Sequence, residues 1–337
     1  MAFKPVRAFE IPSPVSAAQS PNDDAAAMSR KFTVVGHRGS GMNILQSSDR
    51  RMIAIKENTI ASFNSASRFP IDFIEFDVQV TKDNVPVVFH DDFIVTENNG
   101  AVSETPVTHL TLSEFLSYGP QRDGTKEMKP LLRNTNEGNP VRWDVDEDDC
   151  LCTLQEAFQL VEPSLGFNIE LKFNDELSYS NQDLHRALQA TLEVVSDFAN
   201  GRPIFFSSFN PDAALIVRKL QSSYPVLFLT NGGTKIYADK RRNSLEEGVR
   251  VCCEGELQGI VSEVTGVLRH PEIVKKMKNC NLALFTYGHL NNVTEAVFTQ
   301  YLIGVDGVIV DLVEEIAAAV RQFSQSAEYD GERVAVD

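Results

Sequence analysis

The sequence predicts an α/β protein built on a parallel sheet with crossover helices, and three observations carry that expectation. Short β-rich runs alternate with stretches of helical length and period, and no repeat at a fixed spacing replaces that alternation. The 337 residues leave room for one α/β barrel, which commonly uses about 250.

Residues 1–30 contain Pro, Ser and Ala without an apolar h-region, so they read as an N-terminal tail rather than a secretory signal. Acidic Glu10, Asp23 and Asp24 weaken a transit-peptide reading but leave it open. Strands are expected at 32–36, 71–80, 85–90, 167–173, 203–208, 225–229, 258–262, 282–286 and 307–311. Amphipathic helices are expected at 57–68, 183–199, 210–221, 268–278, 291–303 and 312–323. Nine strands are one more than an eight-stranded barrel uses, so one is extra or misread. The stretch 91–150 is polar, rich in Asp, Glu, Asn and Gly, and reads as an excursion from the barrel. Within it Asp144, Asp146 and Asp148 resemble a calcium loop, but Asp149 stands where Gly is required and Gln155 where Glu is, so the match fails. Residues 326–337 read as a C-terminal tail.

With 42% hydrophobic and 23% charged residues, and no apolar run near the roughly 18 needed to span a bilayer, a soluble protein with no transmembrane segment is expected. A formal charge of -16 argues against a nucleic-acid partner. It also disfavours an anionic substrate unless the site makes its own positive field from a cation, Arg, Lys or helix N-termini. Five cysteines, with Cys150 near Cys152 and Cys252 beside Cys253, are no disulfide framework. They read as reduced structural thiols, with a redox pair or a metal site as the other readings.

Strand residues alternate between faces, so Phe73, Glu75, Asp77 and Gln79 share one face of 71–80, and Asn168, Glu170 and Lys172 share one face of 167–173. Both apolar faces lie opposite. Buried like charges are costly unless a cation neutralises them, and hard oxygen ligands at Glu75, Asp77 and Glu170 favour Mg²⁺ or Ca²⁺. His37 and His90 each stand where an apolar strand runs out, which in a parallel barrel is the end where active sites collect. Two imidazoles can supply a base and an acid near neutrality, and Arg38, Lys172 and the cation can supply positive charge to a phosphate. Gly36 and Gly39 leave room for close approach.

The blocks Gly36-His37-Arg38-Gly39, Glu57-Asn58-Thr59, Ile74-Glu75-Phe76-Asp77-Val78, Pro86-Val87-Val88-Phe89-His90-Asp91, Asn168-Ile169-Glu170-Leu171-Lys172, Phe206-Ser207-Ser208-Phe209 and Gly304-Val305-Asp306-Gly307 follow one another in order. Together they resemble the glycerophosphodiester phosphodiesterase family, closest to its plant-type cytosolic or plastid members. The resemblance implies an α/β TIM (β/α)8 barrel of the phosphodiesterase type over 31–325, with a small insertion after the third strand. That insertion, 91–150, would be a subdomain over the glycerol pocket. It implies an intracellular enzyme, in plastid or cytoplasm, whose partners are small-molecule glycerophosphodiesters, hydrolysed to glycerol 3-phosphate and an alcohol. Carried over by position, His37 and His90 are the acid/base pair, and Glu75, Asp77 and Glu170 hold Mg²⁺ or Ca²⁺. Arg38 and Lys172 contact phosphate, Glu57 and Asn58 support the site, and Phe209 contributes to substrate binding. Where the family often shows Trp, this chain has Phe285-Thr286-Tyr287-Gly288, and Tyr287 would take over the packing or stacking role.

Two other readings stand beside this one: a phospholipase C- or D-type lipid phosphodiesterase on the same barrel, and a ligand-binding barrel without activity. The sequence does not set the head group, the native cation, the oligomeric state, or which histidine is acid and which is base.

Overall fold

The computed structural model describes residues 31–334 apart from 126 and 136, so the expected N-terminal tail lies outside the described residues. Among these residues the strands are β1 (Thr33–Gly36), β2 (Phe73–Val80), β3 (Pro86–Val88), β4 (Phe93–Asn98), β5 (Ala101–Pro106), β6 (Leu132–Asn134), β7 (Pro140–Arg142), β8 (Cys152–Thr153), β9 (Gly166–Leu171), β10 (Ile204–Ser208), β11 (Val226–Thr230), β12 (Gly259–Glu263), β13 (Ala283–Tyr287) and β14 (Gly307–Val310). In hydrogen-bonded order the main sheet runs β1-β14-β13-β12-β11-β10-β9-β2-β3-β8, and β1 also pairs with β2. Strands β1, β2 and β9 to β14 therefore close an eight-stranded barrel of the expected TIM type.

The surplus strand is the one expected at 85–90. It shrinks to β3 and runs antiparallel to β2, with Val88 opposite Val78 and Val87 opposite Gln79. The reason is the turn between them. Thr81 donates its backbone N–H to Val85 O at 3.0 Å, and Asn84 takes the left-handed conformation at φ 63. So short a link closes an antiparallel hairpin, whereas a parallel crossover needs about a dozen residues. His90 thus does not sit at the end of a parallel barrel strand, as the sequence suggested; a hairpin carries it back along β2.

Two compact units divide the chain, one made of 37–68 and 74–203, the other of 31–36, 69–73 and 204–334. In the first, the 91–150 stretch holds a second, antiparallel sheet in the order β5-β4-β6-β7. Its apolar residues, among them Ile94, Phe115, Leu131 and Trp143, bury with Val87 and Phe89. A chain of rings links the helix Ile60–Ala66 to β2 and β9: Phe76 lies 5.2 Å from Phe63 and 5.0 Å from Phe167. In the second unit, alternate residues of β1 and β10 to β14, including Val35, Phe205, Leu227, Val261, Phe285 and Ile309, pack together with Phe73. The parallel registers there run from Thr33 opposite Gly307 to Leu227 opposite Gly259 and Val261 opposite Phe285.

Two expected elements change. The helix expected at 268–278 is two helices, Val264–Arg269 and Glu272–Asn279, because Pro271 has no N–H to continue the first. The last helix, Val313–Val334, continues through most of the segment expected as a C-terminal tail. All five cysteines are free thiols, with Cys152 and Cys252 buried.

Removing the ring that joins helix and strands leaves a cavity among Phe63, Phe167 and their neighbours. Phe76→Ala is expected to lower stability by about 3–5 kcal/mol, measured by urea unfolding. A loss under about 1 kcal/mol would show the ring chain to be dispensable.

Candidate active site

The first histidine stands on a tight turn after β1. There Arg38 adopts φ 50 and Gly39 φ 93, both left-handed. Thr59 caps the helix Ile60–Ala66 by accepting the Ser62 N–H, which leaves the Ser62 hydroxyl turned to that turn. Its Oγ donates to Arg38 O at 3.1 Å and accepts from Ser40 N at 2.9 Å. Arg38 N donates to Glu75 Oε2 at 2.9 Å. The turn is thereby pinned to the helix start and to β2.

The alternation of β2 places Glu75 and Asp77 on one face, and β9, its hydrogen-bonded neighbour, adds Glu170. One oxygen from each of the three carboxyl groups lies within 4.8 Å of the others, and all three residues are buried. His37 Nε2 is 3.9 Å from Glu75 Oε2. Lys172, one residue past β9, puts its Nζ 3.3 Å from Glu170 Oε1 and 3.6 Å from Asp77 Oδ1. Asn58, held at φ 56, donates from Nδ2 to Asp77 Oδ2 at 2.8 Å. Arg38 Nη1 donates to Glu57 Oε1 at 2.7 Å, and its Nε lies 3.5 Å from Asp77 Oδ2.

The hairpin brings His90 to the same group. Phe89 N donates to Asp77 O at 3.0 Å, and Gln79 Nε2 donates to Phe89 O at 2.9 Å and to Asp91 O at 2.8 Å, so β2 fixes the backbone on both sides of the imidazole. His90 Nδ1 lies 2.8 Å from Asp91 Oδ1. Phe209 and Tyr287 belong to the other unit. There their rings meet edge to face at 6.0 Å, and Tyr287 Oη donates to Asn231 Oδ1 at 2.9 Å.

Burial and the neighbouring Asp77 charge push the Glu75 carboxyl up to about 8. Burial also raises Glu170, against the pull of Lys172. For Asp77 burial is outweighed by His90, Lys172 and Arg38, which hold its carboxyl below the usual range. Burial is likewise outweighed at Glu57, by Arg133 and Arg38. Burial, Arg38 and Lys172 push His90 well below the ordinary imidazole value. Glu75 Oε1 is buried with no hydrogen-bond partner among the described residues. A hard cation is what such an oxygen set fits: three converging carboxylates, one with an oxygen left over and a proton it holds too tightly.

Sequence reasoning missed Asp91 and Arg133. Asp91 could have been found, because it directly follows His90. Arg133, in β6, had no local signal: its Nη2 lies 3.0 Å from both Glu57 Oε1 and Asp91 Oδ1, contacts that span 76 and 42 residues respectively.

A model of the glycerophosphoryl diester phosphodiesterase family matches residues 37–315. The chain is 57% identical over 335 residues to the chloroplastic glycerophosphodiester phosphodiesterase GDPD1 of Arabidopsis thaliana, covering 98% of this chain and 93% of that one. It is 63% identical over 285 residues to GDPD2 of the same plant, covering 85% and 76%. Among solved structures it resembles a phosphodiesterase of Oleispira antarctica in complex with sn-glycerol 3-phosphate, with a TM-score of 0.61 at 21% identity, over 86% of this chain and 96% of that one. At that identity the likeness speaks to fold alone.

Glu57 carries the neutralisation of two guanidinium groups. Glu57→Gln should therefore cost about 3 kcal/mol or more in a urea titration, the scale for breaking a buried pair. A variant as stable as the parent would show that Arg38 and Arg133 are neutralised elsewhere.

Proposed function

This chain belongs to the glycerophosphoryl diester phosphodiesterase family, and from that premise we propose that it hydrolyses glycerophosphodiesters such as glycerophosphocholine to sn-glycerol 3-phosphate and an alcohol. His37 and His90 act as the acid/base pair, and Glu75, Asp77 and Glu170 hold a divalent cation, Mg²⁺ or Ca²⁺. The observation that carries the reading is the convergence of those three carboxyls within 4.8 Å, with His37 Nε2 at 3.9 Å from Glu75.

The cation, when bound, supplies positive charge to the non-bridging phosphate oxygens. The remaining work belongs to the chain. One imidazole removes the proton from the attacking oxygen and the other protonates the departing alkoxide. Attack by the glycerol 2-hydroxyl is favoured, because an internal nucleophile gains effective molarity. It gives a cyclic phosphate that water then opens, with the two imidazoles exchanging roles. Lys172 and Arg38 stand over the same carboxyls, so they add positive charge beside the phosphate while keeping Asp77 ionised. A plastid location is part of the proposal, supported by the chloroplastic relative.

His37→Ala and His90→Ala are each expected to lower kcat by about a hundredfold or more in the folded protein, read as glycerol 3-phosphate released from glycerophosphocholine. A parent-like rate in either variant removes that residue from the pair. The cation site is tested without turnover. Mg²⁺ or Ca²⁺ should raise the thermal unfolding midpoint of the parent, and that rise should vanish in Glu75→Gln. An identical rise in both would take Glu75 out of the ligand set.

A further inference from the structure

The proposed chemistry uses groups from residues 37 to 172, but Arg133 reaches them from β6 of the second sheet, in a stretch with no catalytic motif. Its guanidinium lies over the Trp143 ring at 4.3 Å, and Trp143 Nε1 donates to Asn43 Oδ1 at 3.0 Å. The ring plane therefore sets where the guanidinium lies. From that seat one nitrogen, Nη2, touches two carboxylates at once, Glu57 Oε1 and Asp91 Oδ1, each at 3.0 Å. Asp91 is the partner of His90 Nδ1, and Glu57 is the partner of Arg38 Nη1. The side chain is only 12% exposed, so these are not surface pairs that water would screen.

We propose that Arg133 is a positioning residue for the reaction: by gripping Asp91 and Glu57 together it fixes His90 and Arg38 relative to each other. It need touch neither substrate nor cation. With Arg133 gone, Asp91 can turn toward solvent and release the imidazole, and Glu57 retains Arg38 as its only guanidinium partner. The planar fork resting on Trp143 is what a flexible ammonium cannot copy. The second sheet then does more than cover apolar surface, since it carries the clamp that aligns the acid/base centre. The proposal rests on the phosphodiesterase reading above.

Steady-state kinetics on the full chain with glycerophosphocholine test it. Arg133→Ala should lower kcat by about 30-fold while KM moves less than about threefold, the scale on which misplacement of a catalytic group is felt. Arg133→Lys should fall between it and the parent, and millimolar guanidinium chloride should raise the rate of Arg133→Ala where methylammonium chloride does not. Joining Arg133→Ala to Asp91→Asn should cost much less than the product of the two single losses, since both act through His90. A kcat within twofold of the parent in Arg133→Ala, or a loss confined to KM, overturns the proposal. Should the alanine variant not fold by circular dichroism, Arg133→Lys decides, and parent-like kcat there overturns it too. A parent that releases no glycerol 3-phosphate overturns the phosphodiesterase reading and this proposal with it; an active parent with an unimpaired Arg133→Ala overturns this proposal alone.

Discussion

The constraint on which the site depends is the burial of too many carboxyl groups in one place. Glu57, Glu75, Asp77 and Glu170 are all buried, and three basic side chains, Arg38, Lys172 and Arg133, stand among them. Arg133 is shared with Asp91 as well, so the acids outnumber the bases. The shortfall falls on Glu75, whose carboxyl burial and Asp77 push to about 8 and whose Oε1 has no hydrogen-bond partner among the described residues. Asp77 is the opposite case, ionised because Asn58, Lys172 and Arg38 all serve it. Like charges this close must be pushed apart in behaviour, one keeping a proton and one losing it. A cluster of this kind lowers its own energy when a cation neutralises it, which is the electrostatic ground for the cation site proposed above.

Much of this was legible in the sequence because strand geometry is local. A period of two places Glu75 with Asp77 without any knowledge of the fold, and the same arithmetic brings in Glu170 and Lys172. The barrel strands were readable as β-rich runs between helical segments. Composition alone does not place 85–90. Val85 to Phe89 is as apolar as a barrel strand, but the short turn from Thr81 to Val85 leaves no room for a crossover helix, and that turn was visible in the sequence. His90 reaches the acids because the hairpin turns back, with Phe89 N bonded to Asp77 O.

What stayed illegible was whatever depended on distant pairing. Arg133 lies in a polar stretch whose charged residues all look solvent-facing, and β6 is too short to show a period. Its role follows only from Trp143 being drawn into the apolar cluster with Phe89 and Leu131, which brings the guanidinium to Glu57 and Asp91. The apolar residues of 91–150 could be counted in advance. Which polar neighbour they would deliver, and where, could not.

Backbone conformation completes the picture. Arg38 and Asn58 both occupy the left-handed region, at φ 50 and φ 56, which costs a non-glycine residue on the order of 1–2 kcal/mol. Each is held there by the other, since Asn58 N donates to Arg38 O at 3.0 Å. Gly39 between His37 and the helix start admits no alternative: a Cβ there would meet Ser62 Oγ at 2.5 Å and Phe63 Cδ1 at 2.9 Å. The approach of turn to helix is therefore set by sterics before any charge is considered. Once the turn is locked, Arg38 N points at Glu75 and the Arg38 side chain at Glu57 and Asp77, so three acids are addressed by one residue. Strain at two positions is offset by hydrogen bonds and ion pairs that water does not weaken. That exchange is what holds Arg38 and Asn58 in place at the centre of the charge cluster.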